Sequence, residues 1–234
     1  MKYDDFGNRM KKYEAVSQSV LTTRTPVIMR LDGCAFHTFT KGLNRPFDSV
    51  LSDAMAATTE HLCSKIQGAV FGYMQSDEIS ILIQDWKNLN TDNWFGNNVQ
   101  KMVSVSASIA TAFFNKTYKH PSKDALALFD SRVFNIPKEE VANYFVWRQK
   151  DCTRNSINSL GQAHFSAKQL HGKNVSQVQD MLMETHNVNW NDIQTRYKRG
   201  TCVVNGVIDL ECPIFTQDRG YIEKTYEFSE SVVV

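Results

Sequence analysis

Phe71-Gly72-Tyr73-Met74-Gln75-Ser76-Asp77-Glu78-Ile79-Ser80-Ile81-Leu82-Ile83 is the stretch on which the reading of the chain turns. Two apolar runs flank a polar hinge from Gln75 to Glu78. Beyond the hinge, Ile79, Ile81 and Ile83 alternate with Ser80 and Leu82, the period of a strand with one well-buried face. The spacing predicts a β-hairpin with two adjacent carboxylates, Asp77 and Glu78, at its tip. Ser and Asp are ordinary turn formers, so the tip alone would also suit a solvated turn. A second carboxylate in a matching position, Asp32 at the end of Val27-Ile28-Met29-Arg30-Leu31, is what raises the question of a site.

Working outward, residues 3–20 carry Phe6, Met10, Tyr13, Val16 and Val20 at intervals of three or four, the pattern of an amphipathic helix. A strand follows over about 27–31, ending at Asp32-Gly33. Residues 34–47 hold Gly42 and Pro46 and read as a loop with one short helical turn. Asp48 suits the N-cap of a helix over about 49–66, with Val50, Leu51, Ala54, Met55, Thr58 and Leu62 as its apolar stripe and Gly68 beyond its end. After the hairpin and a polar linker from Asp85 to Asn93, a helix is expected over about 97–115. Residues 125–135 suggest a fourth strand, broken near Asp130-Ser131. The order is βαββαβ, the split-βαβ ferredoxin-like pattern of an α+β fold. Residues 1–137 are expected to form a palm-like catalytic domain with an N-terminal helix. Residues 138–234 are expected to add helices (about 138–150, 154–170 and 175–186) and a strand or hairpin over 196–205, packed on the same domain.

In that topology the first two strands run parallel with the third between them. The end of strand one and the hairpin tip then lie at the same end of the sheet, and Asp32 meets Asp77. Two carboxylates brought together repel unless a cation sits between them. Mg²⁺ suits the place, because it prefers oxygen and is usually held by one or two carboxylates plus substrate phosphates. A pair of such ions would activate an attacking hydroxyl and stabilise a leaving pyrophosphate. Arg30, alone among apolar neighbours in its strand, needs an anionic partner.

Composition sets wider bounds. With 234 residues and 42% hydrophobic, the chain is long enough for a sizeable core, and 22% charged with 11% aromatic is ordinary for a globular protein. A net charge of only +1 means that any nucleic-acid contact must come from local clusters. The five cysteines (Cys34, Cys63, Cys152, Cys202, Cys212) form no C-x-x-C pair and read as free thiols of a reducing compartment. No run approaches the length of a membrane span, and the first residues lack the apolar segment of a signal peptide, so a cytoplasmic protein is expected.

The combination Arg30-Leu31-Asp32-Gly33, Phe36-His37 and Gln75-Ser76-Asp77-Glu78 resembles the signature of the tRNA-histidine guanylyltransferase family. Phe129-Asp130-Ser131-Arg132, Trp147-Arg148-Gln149 with Asp151-Cys152, and Tyr197-Lys198-Arg199-Gly200-Thr201 continue the match in order, from about residue 5 to 202. The resemblance implies a palm-like enzyme that extends RNA in the 3′-to-5′ direction. A nucleoside triphosphate, usually ATP, activates a 5′-monophosphate, and the 3′-hydroxyl of an incoming nucleotide such as GTP then attacks. Carried over, it implies Asp32, Asp77 and the Gly33 carbonyl as ligands of two Mg²⁺ ions, with Glu78 supporting the catalytic pair. It also implies nucleotide contacts at Arg30, His37, Arg45, Ser76 and Lys101. Tetramers are the assembly it suggests.

Two departures bear on the substrate. Thr153 stands where eukaryotic members carry histidine, with only Asn155 surviving from the segment that follows, and Asn98 stands where the family often has arginine. The chain thus looks more like the guanylyltransferase-like branch, which resembles template-dependent repair enzymes of tRNA 5′ ends. RNA phosphates would meet two basic segments: Arg148, Lys150 and Arg154 with Asn155, and Arg196 with Lys198 and Arg199. Trp147 reads as a core residue. The alternatives are an enzyme adding a single guanosine to histidine tRNA, a palm-type nucleotidyl cyclase acting without RNA, and a non-enzymatic RNA-binding module. The last usually stacks bases on strand aromatics that this hairpin does not offer.

Overall fold

The computed structural model describes residues 5–88, 90–122 and 124–226. In chain order the elements are α1 (Asp5–Ala15), β1 (Val27–Gly33), α2 (Phe36–Phe39), α3 (Ser49–Lys65), β2 (Ala69–Gln75), β3 (Glu78–Ile83), α4 (Val99–Thr117) and β4 (Phe129–Asn135). They continue with α5 (Val141–His164), α6 (Ala167–Leu170), α7 (Val175–His186), α8 (Thr195–Arg199), β5 (Thr201–Val204), β6 (Val207–Asp209) and α9 (Gly220–Glu223). One six-stranded antiparallel sheet runs β4-β1-β3-β2-β5-β6. Both β1 and β2 pair antiparallel with β3, so they run parallel to each other with β3 between them, as the βαββαβ order requires.

The hairpin is tighter than its sequence suggests. Only Ser76 and Asp77 form the turn, with Ser76 at φ 51°, while Gln75 and Glu78 face each other as its last rung. Glu78 is therefore a strand residue and not part of the tip. β3 is buried on both faces, not one: Ile79, Ile81 and Ile83 join one core, Leu82 joins the other, and the Ser80 hydroxyl meets the Tyr144 hydroxyl at 2.9 Å. A central strand covered on both sides by helices has no solvent face to keep polar.

Alternation along β1 sorts the two layers. Val27, Met29 and Leu31 face α3 and α4, packing with Met55, Leu62, Met102 and Phe114. Ile28 faces the other way, toward Tyr144 and Phe145 of α5. Helices α3 and α4 start on the caps that their sequences offer. Asp48 accepts from the Leu51 N–H at 2.9 Å, and Asn98 accepts from the Lys101 N–H at 3.0 Å. Asn98 thus has a capping task here. Val50 is the one member of the α3 stripe left exposed.

Four expectations change. The stripe Phe6, Met10 and Tyr13 of α1 is not buried on this chain, and Val16 and Val20 beyond it are exposed as well. β4 starts at Phe129 and runs unbroken, with Asp130 and Ser131 paired opposite Asp32 and Leu31. The two helices expected around residues 138–170 are mostly one, α5, since nothing at 151–153 breaks a helix and the Arg148–Asp151 and Asp151–Arg154 pairs bridge the supposed gap at i, i+3. The segment 196–205 is the short α8 followed by β5, which turns at Asn205-Gly206 into β6. Both turn residues have positive φ, at 51° and 76°, as two-residue hairpins of this handedness prefer. All five cysteines are free thiols, and among the described residues no helix is long and apolar enough to cross a membrane.

Two contacts tie the C-terminal elements to the hairpin. Gly200, at φ 84°, lets the chain pass so close to β2 that a Cβ there would lie 2.6 Å from the Met74 carbonyl oxygen. Arg148 of α5, only 6% exposed, grips Glu78 with a two-pronged bond, Nε to Oε1 and Nη2 to Oε2, both 2.7 Å. Gly200→Ala is expected to cost about 1–3 kcal/mol from backbone strain alone, read by urea unfolding. Arg148→Met should cost more, roughly 3–5 kcal/mol, because Glu78 is left buried and unpaired. Adding Glu78→Leu to that variant should recover most of the loss.

Candidate active site

The hairpin turn and the end of β1 are joined by backbone, not only by side chains: the Gly33 N–H donates to the Asp77 carbonyl at 3.1 Å. This bond brings Asp32 and Asp77 to the same end of the sheet. Both line a cavity of about 630 Å³ together with His37, Arg45, Ser76 and Glu78. Gly33 is needed because the Phe36 ring closes over it, with Cδ2 only 2.2 Å from where a Cβ would stand. That ring seats the α2 turn carrying His37 against the core.

Register arranges the charges in rows. Asp32 stands opposite Glu78 on one side and Asp130 on the other, while Arg30 stands opposite Ser80 and Arg132. Directly opposed partners share a face, so acids form one row and bases the next, on the α5 side of the sheet. Bonds between the rows, two along a strand and one diagonal across strands, relieve the repulsion. Asp32 Oδ2 accepts from Arg30 Nε at 3.2 Å and lies 3.1 Å from Arg132 Nη2, which also bonds Asp130 at 3.1 Å. The anionic partner that Arg30 requires is Asp32.

Asp77 has no such guanidinium among its bonds. Burial raises its carboxyl above the usual range, Asp32 pushes it further the same way, and the turn's own N–H and the Ser76 hydroxyl pull it back. Burial also raises Glu78, against the pull of Arg148. Among the described residues no group of three or more His, Cys, Asp or Glu side chains is arranged to hold a metal. The oxygens here that could hold a cation are the two carboxylates of Asp32 and Asp77, which line one cavity. Hard oxygens of that number suit Mg²⁺, whose remaining positions go to water and phosphate. Both guanidinium contacts of Asp32 fall on Oδ2, which leaves Oδ1 for such an ion.

The other residues singled out from sequence divide. His37, Arg45 and Ser76 are exposed along the cavity wall, with the His37 ring within 3.1 Å of the Thr38 hydroxyl. Lys101 is elsewhere. It sits in the first turn of α4, where the Val99 N–H donates to the Ser19 carbonyl of a segment whose Thr22 N–H in turn donates to the Asn135 side chain. Asn135 pairs with Val27, so Lys101 belongs to the end of the sheet opposite Asp32 and lines none of the cavities around the two aspartates. Arg148 does not face outward to phosphate; it is the buried partner of Glu78 and also bonds Asp151 at 2.9 Å. Arg154 is exposed and pairs with Asp151, beside Asn155, whose amide reaches the same carboxylate at 3.4 Å. Lys150, Lys198 and Arg199, from two separate segments, converge on a second hollow of about 300 Å³ lined also by Trp190.

Several contributors escaped sequence reasoning. Asp151 lines the main cavity and braces Arg148; its i, i+3 spacing was visible, but the continuity of the helix was not. Arg132 reaches Asp32 only through the β1–β4 register. Arg196, expected from the sequence to meet RNA phosphate, instead lines the main cavity with its guanidinium 2.7 Å from Asp53, next to Tyr197, whose ring stacks on Phe47 at 4.6 Å. Trp147 is 52% exposed and not a core residue.

Known proteins are similar to this chain over most of its length. A bacterial tRNA(His) guanylyltransferase (Thg1)-like protein solved in complex with ATP is 48% identical and superposes with a TM-score of 0.92, over 95% of this chain and 100% of that one. Another such bacterial structure, in complex with GTP, is 42% identical with a TM-score of 0.81, over 96% and 100%. The probable human tRNA(His) guanylyltransferase is 26% identical over 78% of this chain, which spans 65% of the human protein. Residues 7–137, which carry the βαββαβ unit and both aspartates, match the model of the Thg1 tRNAHis guanylyltransferases, and the chain belongs to that family of nucleotidyltransferases.

Proposed function

We propose that this chain is a template-dependent 3′-to-5′ nucleotidyltransferase that extends the 5′ end of tRNA or a related RNA. The observation that carries the reading is the pair Asp32 and Asp77, held at one end of the sheet by the Gly33–Asp77 backbone bond and opening on one cavity. The bacterial relatives solved with ATP and with GTP support nucleoside triphosphates as substrates.

In the first step a 5′-phosphate oxygen of the RNA attacks the α-phosphorus of a triphosphate, and pyrophosphate leaves. In the second, the 3′-hydroxyl of the incoming nucleotide attacks the activated 5′ phosphorus and expels the nucleoside monophosphate. Asp32, Asp77 and the Gly33 carbonyl would hold Mg²⁺, which when bound neutralises phosphate charge and eases deprotonation of the attacking hydroxyl. Arg45 and His37, exposed on the cavity wall, offer N–H donors to triphosphate oxygens, and Ser76 offers a hydroxyl beside Asp77. Arg30 and Arg132 orient the Asp32 carboxylate through Oδ2. Glu78 has both oxygens engaged by Arg148, so its part is to fix the strand next to Asp77 and not to move a proton. Lys150, Lys198 and Arg199, with Arg154 and Asn155, provide cationic and amide contacts for the RNA backbone. Thr153, in the place of the family histidine, favours templated addition over addition of one guanosine; its hydroxyl donates to the Lys198 carbonyl at 3.0 Å. A homotetramer working in the cytoplasm is the assembly and location that the resemblance supports.

A 5′-truncated tRNA supplied with ATP, Mg²⁺ and the four nucleotides is expected to be extended by wild type and not by Asp32→Ala or Asp77→Ala, with both variants keeping the wild-type circular dichroism spectrum. Changing the acceptor-strand base opposite the gap should change the nucleotide added; guanosine added regardless of that base would refute templating. The raised carboxyl of Asp77 also sets a pH dependence. Its charged form is disfavoured in the folded state, so in EDTA the Asp77→Asn variant should melt above wild type at neutral pH. The gap should close as pH falls below the ordinary carboxylate range and both side chains become neutral. Added Mg²⁺ should raise the wild-type melting temperature and leave that of Asp77→Asn nearly unchanged.

A further inference from the structure

Of the four tryptophans, Trp86 and Trp94 are buried, Trp190 is half-buried, and Trp147 stands 52% exposed on α5. Its indole is not loose. The Arg148 guanidinium carbon lies 4.3 Å from the ring centroid, and Arg148 is itself clamped by Glu78 and Asp151. Tyr144 packs against the indole at 5.8 Å and is anchored through its hydroxyl to Ser80. Exposed aromatic area that is held rigid costs little conformational entropy when a planar ligand stacks on it.

The surroundings say what kind of ligand. Trp147, Lys150 and Arg154 fall at i, i+3 and i+7 on α5, and all three are exposed. In the opposite direction, Tyr144 meets Phe134 of β4 at 6.0 Å, which puts the indole on the β1–β4 side of the helix, where Arg30 and Arg132 flank Asp32. The Nη groups of Arg30 make no hydrogen bond among the described residues, since Nε serves Asp32, and the Arg132 side chain is 50% exposed. Aromatic area set between cations is the pattern for a strand that carries both bases and phosphates. The triphosphate candidates Arg45 and His37 lie in the cavity that the Asp77 turn lines, and neither Trp147 nor Arg132 lines it.

We infer that Trp147 is a stacking platform for the terminal base at the 5′ end of the RNA, with Arg132 and Arg30 receiving its phosphate beside Asp32. The RNA end then arrives from the β4 side while the triphosphate arrives from the Asp77 side, so the two substrates meet across the aspartate pair. Trp147 is a binding residue for RNA and not for the nucleotide. This rests on the function proposed above for the identity of the polymer.

The test uses the full chain and an RNA hairpin with a recessed, monophosphorylated 5′ end. The hairpin should quench the tryptophan emission of wild type, and Trp147→Phe should abolish that quenching while keeping most of the affinity. Trp147→Ala should weaken binding by at least about fivefold, the lower range for losing one stacked base. In turnover it should raise KM for RNA and leave KM for ATP unchanged, a split that a merely structural loss would not produce. RNA affinity equal to wild type in Trp147→Ala overturns the platform. So does unchanged RNA affinity with an altered assembly mass, which would make the indole a contact between copies. Binding is read without turnover, so a wild type that binds and is quenched but adds no nucleotide would sink the proposed function and leave the platform standing. A wild type that extends RNA while Trp147→Ala does so with the same KM would sink the platform alone.

Discussion

The Glu78–Arg148 fork is the interaction on which the site depends. Glu78 is the first residue of β3 and the immediate neighbour of Asp77, and Arg148 sits two turns into α5, the longest of the described helices. A carboxylate buried there without a partner would be driven to its neutral form or out of the fold. Bonded through both oxygens it becomes a fixed point, and with it the turn that carries Asp77 and the helix that carries Asp151 and Trp147. One ion pair thereby couples the hairpin, the far wall of the cavity and the exposed stripe of α5. It also divides labour between adjacent acids: Glu78 is spent on structure, while Asp77, with burial raising its carboxyl and no guanidinium to offset it, keeps a demand for a cation.

Much of this was legible in the residues because the signals were local or periodic. The alternation Ile79-Ser80-Ile81-Leu82-Ile83, the turn formers Ser76-Asp77 and the cap Asp48 each express a short-range preference. Their order implied that strand one and the hairpin tip share an end of the sheet. What was not legible needed register or direction. Asp130 reads as a break in a strand until β1 is placed beside it. Arg132 reaches Asp32 for the same reason. Lys101 travels with the other motif residues in sequence, yet α4 begins at the opposite end of the sheet, a matter of which way a helix crosses. Arg148 is a surface cation by composition and a buried one by helical phase, since it lies one turn beyond Tyr144 on the side that meets the sheet.

Trp147 shows a different limit. Large apolar side chains are usually inside, but the rule runs one way only, because much of any protein's surface is apolar. No period in the sequence separates Trp147 from Phe145 and Val146, which are buried. Only the helix's seating on the sheet does so. The stripe of α1 fails in the reverse sense: its spacing is right for burial, and Phe6, Met10 and Tyr13 are exposed.

The rows of like charge across β4, β1 and β3 carry one more consequence. Sliding β4 by two residues along β1 would keep every side chain on its face and set Arg30 opposite Asp130, or Asp32 opposite Arg132, pairings that electrostatics prefers. The observed alignment is the electrostatically poorer one, so something else must impose it. The far face of the sheet supplies that: Phe129 is wedged among Phe36 and Phe114, and Ser131 is bonded to Ser106 of α4 at 2.8 Å. At the strand's other end the Asn135 amide is tied to the Thr22, Thr25 and Pro26 carbonyls. The apolar layer thus holds the charged layer in an arrangement that it would not choose by itself, and a substitution buried beneath the sheet can disarm the aspartates without touching them.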